Sequence, residues 1–298
     1  MLSPKLIRGV TLIELVMVIV ITGIVAGVSL IFMQRTFTGY AQAREQLLVG
    51  EQGMLALSQF KRETRLSLPN SVRLASAGGV TYLELVPVAS GGRYRVASAT
   101  GADPAPACPV DVVGAPDNGV LSVGVADTCF KSLGSVDTSS VSIGDWLVVF
   151  NAGSGYAGSD FYESGAATGG NKAALTSFSS TGAETRFAFA SNAFSWESPG
   201  RRFHIAKNPV TFACDPTAGT LTRWAGYSVQ ASQPTTNLAA LAGARSGLLA
   251  RNLGSCQITY APASIGNQFG LVTLLIKINI SSGGAMSLQS QAQVSNIP

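Results

Sequence analysis

The stretch Arg8-Gly9-Val10-Thr11-Leu12-Ile13-Glu14 decides the fold, because it joins a short basic leader to a long apolar run. The run from Leu15 to Met33 has 19 residues, without a charge or a proline. As an α-helix it is ~29 Å long, which is about the thickness of the hydrocarbon core of a bilayer. We therefore predict a membrane-spanning helix near the amino terminus.

The residues around this run indicate how it sits in the membrane. Lys5 and Arg8 precede it, so the amino terminus is expected to stay in the cytoplasm while the bulk of the chain crosses. A secretory signal has a small-residue cleavage site after its apolar core, and no such site follows Met33. Gly23 and Gly27 have the spacing that lets another helix approach closely. The run is therefore interpreted as a retained anchor.

Glu14 is unusual, because an ionisable group at the edge of a membrane helix is costly and normally has a partner. Two interpretations remain open at this point. The carboxylate either lies among the lipid headgroups and reaches water, or it pairs with a cation from another chain. The residues that flank Glu14 favour the second interpretation.

The sequence Gly9-Val10-Thr11-Leu12-Ile13-Glu14 resembles the prepilin signature of type IV pilins and type II secretion pseudopilins. The resemblance implies that a membrane-bound prepilin peptidase cuts after Gly9 and that Val10 becomes the methylated amino terminus. It implies that Glu14 supports docking by meeting the free amine of a neighbouring subunit. Most members of the family have phenylalanine where this chain has Val10. The implied fold is α+β: the type IV pilin fold, with a long helix packed on an antiparallel sheet domain.

The helical pattern continues beyond the apolar run. From Gln34 to Leu68 there is no proline and helix-forming residues recur, until Pro69-Asn70 ends the pattern. We predict a transmembrane and assembly helix over 10–33 and an amphipathic stem helix over 34–69. One apolar stripe is expected along the stem. Its residues are Phe37, Tyr40, Leu47, Leu48, Met54 and Leu55.

After Asn70 the pattern changes to short strands separated by turns, which predicts a β-rich head over 70–298. Gly91-Gly92 is predicted as a turn, Gly247 to Leu253 as a short helix or turn, and Ser282-Gly283-Gly284 as a hairpin turn. The predicted strands are Val80 to Val88, Arg93 to Ala97, Leu121 to Val125, Asp145 to Phe150, Glu184 to Ala190, Arg201 to Ala206, Pro209 to Cys214, Thr220 to Tyr227, Cys256 to Tyr260, Leu271 to Ile280 and Ala285 to Val294.

One segment of the head, 151–183, is rich in glycine, serine and alanine, and we predict it to be a long flexible surface insertion. Its larger apolar residues are Tyr156, Phe161, Tyr162 and Phe178. Exposed aromatic residues on loops often bind ligands, so the segment is either a ligand-binding loop or a variable loop without a ligand.

Composition argues against nucleic acid as a partner. The chain has 298 residues and a formal charge of +4, from 20 basic and 16 acidic residues. Loss of Lys5 and Arg8 on processing leaves 18 basic residues against the same 16 acidic ones. The basic residues are scattered, without the interleaved aromatic residues of a groove that binds single strands. We therefore predict no nucleic-acid partner.

Four cysteines, Cys108, Cys129, Cys214 and Cys256, are spaced too widely for a zinc knuckle. After one membrane crossing they lie outside the cytoplasm, where disulfides persist. The simplest pairing is sequential, but two other connectivities and buried free thiols are also compatible with the spacing.

The sequence lacks the residues of the common catalytic sites. His204 is the single histidine, which argues against a Ser-His-Asp site or a histidine metal site and favours a structural role. Asp111, Asp117 and Asp127 are either calcium ligands or solvated turn residues, and the second reading is preferred because no EF-hand spacing exists. We therefore predict no enzyme activity, no metal and no cofactor.

The carboxy-terminal half is similar to the large minor pilins of the J-type, including the MshO group of MSHA pilus biogenesis proteins. The similar segments are Pro209 to Cys214, Gly219 to Trp224, Leu248 to Tyr260 and Gln293 to Pro298. This weaker resemblance covers the last third of the chain. It implies a minor pilin that takes part in initiating an MSHA-type IV pilus, near its tip.

The partners implied are other major and minor pilins through the amino-terminal helix, the prepilin peptidase and the inner-membrane assembly platform. The expected location is the inner membrane with a periplasmic head, then the pilus on the cell surface. Three alternatives remain: a type II secretion pseudopilin, a tip subunit for adhesion or DNA uptake that uses the 151–183 segment, and a membrane-anchored enzyme.

Overall fold

The structure, a computed structural model, describes residues 9–96, 108, 119–163, 169–180, 182–262 and 268–298. The helix α1 spans Leu12–Arg65 and is continuous from the apolar run into the stem. It ends at Arg65, four residues before the predicted end at position 69, because the chain after it pairs with residues 86–88. The Leu68 amide donates to the Val86 carbonyl at 2.7 Å, and the Val88 amide donates to the Leu66 carbonyl at 2.9 Å.

The remainder of the described chain is mainly β-structure, and every strand pair within its sheets is antiparallel. An α+β fold is therefore confirmed. The strands are β1 (Arg73–Ala77), β2 (Val80–Leu85), β3 (Val88–Arg93), β4 (Asp127–Lys131), β5 (Trp146–Val149), β6 (Lys172–Ser180), β7 (Thr185–Asn192), β8 (Arg202–Ala206), β9 (Val210–Asp215), β10 (Thr220–Ala225), β11 (Arg245–Ala250), β12 (Leu253–Ala261), β13 (Phe269–Asn279) and β14 (Ala285–Ser295). A 3-10 turn, Leu238–Ala240, lies between β10 and β11.

Two sheets and the end of α1 enclose the first core. The first sheet has the order β1-β2-β9-β10-β11, and the C-terminal sheet has the order β12-β13-β14. Along β13 buried and exposed residues alternate, so that Val272, Leu274 and Ile276 point into this core. Phe60 of α1 meets Phe212 of β9 edge to face, with ring centroids 5.0 Å apart. The disulfide between Cys214 and Cys256 joins the two sheets.

The third sheet, of order β3-β8-β5-β6-β7-β4, curls until its edge strands meet. Tyr94, just after β3, bridges Ser132, just after β4, and the Leu133 amide donates to the Arg93 carbonyl at 2.7 Å. The sheet therefore curls into a small barrel whose two edge strands contact each other at this point. Aromatic residues fill it, and Phe130 packs against Phe203 with centroids 4.9 Å apart.

Asparagines join the barrel to the helix end and the carboxy terminus. Asn70 adopts a positive φ of 56° and donates from its side chain to the carbonyls of Asn151 and Asn296. Asn151 in turn donates to the Pro69 carbonyl at 2.6 Å and accepts from the side chain of Asn171 at 2.8 Å. Pro69-Asn70, predicted only as a helix stop, therefore lies where the parts of the head meet.

The predicted strands over Glu184 to Ala190, Arg201 to Ala206, Pro209 to Cys214, Thr220 to Tyr227, Cys256 to Tyr260 and the final hairpin correspond to β7–β10 and β12–β14. Others differ. The strand predicted over Val80 to Val88 breaks at Val86 and Pro87, where the chain leaves the first sheet for the barrel. Leu121 to Val125 makes only isolated bridges. Of the predicted strand over Arg93 to Ala97, Arg93 ends β3, and Ala97 lies outside the described residues.

Two predicted turns are wrong for a physical reason each. Gly91-Gly92 lies inside β3, where a Cβ on Gly91 would come within 2.9 Å of the Phe203 carbonyl oxygen. The glycines serve the close approach of β3 and β8 rather than a turn. Gly247 to Leu253, predicted as a short helix or turn, largely forms β11, because its backbone pairs with β10.

The predicted flexible insertion over 151–183 is wrong in its second half. Lys172–Ser180 forms β6, which lies between β5 and β7 in the barrel. Phe161 and Tyr162, expected on a surface loop, are buried against Leu68, Val86 and Val148. Small residues are accommodated in β6 because its neighbours on both sides satisfy its backbone.

The contact between α1 and the C-terminal sheet depends on a glycine. A Cβ on Gly53 would lie 2.3 Å from Cδ1 of Leu288 and 2.9 Å from Cδ1 of Ile278. Gly50, one turn earlier, has space, since its Cβ would be 3.5 Å from the Met286 sulfur. Gly53 therefore sets the distance between the helix and β13 and β14.

We predict that Gly53→Ala destabilises the head by about 1–3 kcal/mol relative to Gly50→Ala, because only the first substitution overpacks the contact. Both variants gain the same helix propensity, so their difference isolates the packing effect. Urea unfolding of the full chain in detergent, followed by tryptophan fluorescence, measures it. Equal midpoints for the two variants would contradict the prediction.

Candidate functional site

The amino-terminal signature forms the start of α1. Thr11 is the N-cap residue, and its hydroxyl oxygen accepts a hydrogen bond from the Glu14 amide at 3.3 Å. The Thr11 to Glu14 spacing is that of a capping box, and a carboxylate in the first turn is favoured by the helix dipole. The Glu14 carboxylate has no hydrogen bond or ion pair among the described residues. Gly9 and Val10 precede the helix and are exposed, while residues 1–8 lie outside the described residues.

The apolar half of α1 contacts almost nothing in its own chain. Within the described residues, α1 is the one helix long and apolar enough to span a membrane, and none of its apolar window is buried. Leu15 is 54% exposed and Phe32 is 72% exposed. This half of α1 is a candidate membrane anchor, and its apolar surface needs lipid or another protein to cover it.

The stem of α1 is apolar on two opposite sides. The side that packs on the head contains Gly53, Ala56, Leu57, Phe60 and Thr64. The stripe predicted from the sequence is not this side. Its residues, Phe37, Tyr40, Leu47, Leu48, Met54 and Leu55, are all exposed. At about 100° per residue they lie on roughly the opposite face of the helix, so the stem presents a second apolar surface outward.

Glu45 fastens the stem to the turn between β13 and β14. Its carboxylate accepts hydrogen bonds from the backbone amides of Ser281 at 2.6 Å and Ser282 at 3.1 Å. These bonds, Ser281 first and Ser282 second, hold the pKa of the Glu45 carboxyl below its ordinary value of 4.5. Among the described residues, this is the hydrogen-bonded contact between α1 and the head that lies nearest the amino terminus of the helix.

A second ionic contact lies higher on the same helix. Both carboxylate oxygens of Glu63 are 2.9 Å from Nε of Arg223 in β10. Gln59, one turn before Glu63, donates to the same carboxylate at 3.1 Å. Glu63 therefore binds the head, while its charged neighbours Lys61, Arg62 and Arg65 are exposed.

A buried polar network crosses the first sheet. Glu84 is fully buried, and its carboxylate lies 2.5 Å from Nε of Arg73 and accepts from the Tyr227 hydroxyl at 2.9 Å. Burial raises the pKa of Glu84, while Arg73 and Tyr227 partly oppose the shift. Burial likewise raises the pKa of Tyr227 well above its ordinary value.

The same network anchors a neighbouring connection. Arg73 also donates to the carbonyls of Gln230 and Ala231, both at 2.8 Å, and its guanidinium lies 3.6 Å from the ring centre of Tyr162. The carboxylate and the guanidinium already have these partners inside the protein. The network therefore fastens the chain after β10 to the sheet, and its geometry is structural rather than catalytic.

A hollow of about 780 Å³ is lined largely by residues of the predicted insertion, among them Asp160 and Lys172, together with Trp146 of β5. Lys172 donates to the carbonyls of Phe161 and Glu163, both at 2.6 Å. Burial lowers the pKa of Lys172, while Asp160 and Glu163 raise it. Because the ammonium group binds these two backbone oxygens, it holds the segment around Phe161 and Glu163 against β6 at the side of the hollow.

The structure pairs the cysteines sequentially, Cys108 with Cys129 and Cys214 with Cys256, with Cα atoms 5.6 Å and 5.8 Å apart. His204 stands in β8, and among the described residues its buried Nε2 has no hydrogen-bond partner. Burial, followed by the charge of Arg202, lowers the pKa of His204 to about 4, so the imidazole is neutral.

Of the three aspartates considered for calcium, only Asp127 lies within the described residues. Its carboxylate accepts from the backbone amides of Ser122, Thr128 and Cys129 at the start of β4. Asp111 and Asp117 lie outside the described residues. Where the structure describes the chain, no group of three or more His, Cys, Asp or Glu side chains is arranged to hold a metal ion.

Sequence reasoning located Glu14 and the apolar run but missed the two contacts that orient α1. Neither Glu45 nor Gly53 stands out in the sequence pattern of the stem. A small residue at a helical spacing from Ala56 and Phe60 is the signal that indicates a close helix contact. No sequence signal pairs Glu45 with a turn 236 residues away.

No protein-family model, curated protein or solved structure matches this chain. Its function is therefore inferred from its own residues.

We predict that Glu45→Gln loosens the β13–β14 turn at neutral pH, because a neutral amide is a weaker acceptor for the Ser281 and Ser282 amides. A lowered folded pKa means that the stabilising effect is complete above 4.5 and is lost as pH falls through the lowered value. The unfolding midpoints of wild type and Glu45→Gln should therefore differ at neutral pH and converge in acid.

Glu51→Gln is the matched control, because Glu51 is exposed on the same helix and its carboxylate accepts no hydrogen bond among the described residues. Amide hydrogen exchange at Ser281 and Ser282 localises the effect. Equal exchange in wild type and Glu45→Gln at neutral pH would contradict the prediction.

Proposed function

We propose that this chain is a minor pilin-type subunit that a prepilin peptidase processes and that takes part in initiating a type IV pilus, near its tip. One observation carries the proposal. The signature from Gly9 to Glu14 stands directly before an apolar helix that its own chain leaves uncovered. A helix of this kind is suited first to storage in a membrane and then to burial among the helices of other subunits.

The chemistry of docking follows from two charges. Cleavage after Gly9 creates a free amine at Val10, and Glu14 supplies a carboxylate one helical turn away. Both charges are costly in hydrocarbon, and pairing a subunit's carboxylate with its neighbour's amine recovers much of that cost. The capped helix start keeps Glu14 in a defined position relative to the amine, and the apolar surface around it supplies the remaining contact.

The second apolar side of the stem also supports the proposal. A helix that served only to hold the head would need one apolar side, whereas the stripe from Phe37 to Leu55 is exposed opposite the head. In a filament, neighbouring stems cover such a stripe and the heads face outward. The contacts of Glu45 and Glu63 keep head and stem aligned while this happens.

The resemblance of the carboxy-terminal half favours an MSHA-type pilus and a protein of the MshO group. Pro209 to Cys214 and Gly219 to Trp224, two of the segments that carry the resemblance, correspond to the paired strands β9 and β10. A type II secretion pseudopilin uses the same stem and the same processing. Deletion of the gene separates the two systems: loss of surface pili supports the pilus, and loss of protein export with normal pili supports secretion.

The decisive experiment is the intact mass of the membrane-extracted protein, from cells with and without an active prepilin peptidase. We expect loss of residues 1–9 and addition of one methyl group at Val10 only in cells with the peptidase. Full-length mass in both cells would overturn the proposal and leave a membrane-anchored protein of another kind.

We further predict that Glu14→Gln leaves cleavage intact but lowers incorporation into sheared pili by about tenfold or more, because the neighbour's amine then lacks its counter-charge. Glu51→Gln, which changes an exposed carboxylate on the same helix, is the matched control and should assemble normally. Quantitative immunoblots of pili and membranes measure the ratio. Normal incorporation of the Glu14 variant would show that this carboxylate is not needed for docking and would contradict the prediction.

A further inference from the structure

The outer edge of the first sheet is open beside the stem. β11 is the last strand in the order β1-β2-β9-β10-β11, and only β10 pairs with it. Among the described residues, no further backbone hydrogen bond reaches Arg245–Ala250 from another element. Since alternate amides and carbonyls of an edge strand point away from its partner, β11 presents free donors and acceptors on this side.

A groove runs between this edge and α1. It comprises two adjoining hollows of about 520 and 250 Å³, which share Leu55 of α1 and Leu248 and Leu249 of β11 as lining residues. Leu248 is 57% exposed and Leu55 is 63% exposed. The groove thus combines an unpaired strand edge with apolar side chains, which is the surface that an added strand requires.

The positive charge of the groove indicates which kind of partner segment fits it. Arg62 and Arg251 are the ionisable side chains among the described residues that line the two hollows. Neither has an ion pair among the described residues, and both are exposed. The carboxylate of Glu63 nearby already binds Arg223. An extended segment with carboxylates therefore fits the groove better than a neutral or basic one.

A second copy of this chain does not offer such a segment from its open edges. The other edge strands of the two open sheets are β1, β12 and β14, and none contains an aspartate or glutamate. The edge strands of the barrel, β3 and β4, contact each other near Arg93 and Leu133, and the one carboxylate in them, that of Asp127, already accepts hydrogen bonds from the amides of its own loop and strand. The charge pattern consequently favours a different protein as the partner.

We propose that the groove between α1 and β11 binds an acidic, extended segment of a different subunit, which adds as a strand to the edge of β11. The main chain of the partner pairs with β11, its apolar side chains lie on Leu55 and Leu248, and its carboxylates meet Arg62 and Arg251. The proposal depends on these contacts and not on prepilin cleavage, so it stands or falls independently of the proposed function.

The test uses the full chain in detergent and a short fluorescent peptide of alternating valine and glutamate, with glutamine and lysine peptides for comparison. We expect the glutamate peptide to bind at least about tenfold more tightly than the lysine peptide at low salt, and less tightly as salt is added. Hydrogen exchange should slow at those amides among Ser246, Gly247 and Leu248 that point away from β10 when it binds.

Charge reversal provides a control for folding. The double variant Arg62→Glu, Arg251→Glu should lose the glutamate peptide and gain the lysine peptide, which a misfolded protein cannot do. Arg65→Glu, an exposed helix residue outside the groove lining, should keep the preference of the wild type.

N-methylation of the peptide tests the main-chain pairing. Methyl groups on alternate residues should abolish binding in one register and leave it nearly unchanged in the other, since only every second amide faces β11. Equal binding by all three peptides, or binding insensitive to methylation in both registers, would overturn the proposal. Self-association of the chain that the charge reversal abolishes would assign the groove to a second copy and overturn it too.

Discussion

The packing of the last turns of α1 between two sheets is the constraint on which the remaining structure depends. Phe60 is enclosed by the first core, and Gly53 allows the helix to lie against β13 and β14 at a distance that a side chain would prevent. Once this segment is fixed, a continuous helix carries its apolar half away from the head. The head can therefore be stable in water while the uncovered half requires lipid or protein around it.

The two halves of α1 therefore have different surroundings, and so do the two sides of its stem. One side of the stem belongs to the core, and the opposite side, from Phe37 to Leu55, remains exposed. Ionic contacts determine how the head is held on the stem, since Glu45 binds the β13–β14 turn and Glu63 binds β10. Such contacts orient one part relative to another but contribute little to the free energy of folding, whereas the buried apolar surfaces supply most of the stability.

The barrel adds a second core that does not rely on the helix. Its edge strands meet near Arg93 and Leu133, and the asparagine contacts around Asn70 attach it to the end of α1. The first sheet, in contrast, keeps one edge open beside the stem, at β11. The molecule therefore has a closed unit on one side and an unpaired edge, flanked by arginines, on the other.

The apolar helix, the carboxylate at its start and the strongest strands, such as β13 and β14, are evident in the amino-acid sequence. These features follow from local composition and from apolar residues that recur every 3.6 residues in a helix or every 2 residues in a strand. Such a pattern is visible within a single segment of the chain. Only the tertiary structure decided which side of the stem is buried, that β6 lies within a barrel, and that Gly91-Gly92 is a close contact rather than a turn. Each of these depends on contacts between residues that are distant in the chain, such as Gly53 with Leu288 or Gly91 with Phe203. A local sequence pattern does not indicate which distant residues come close.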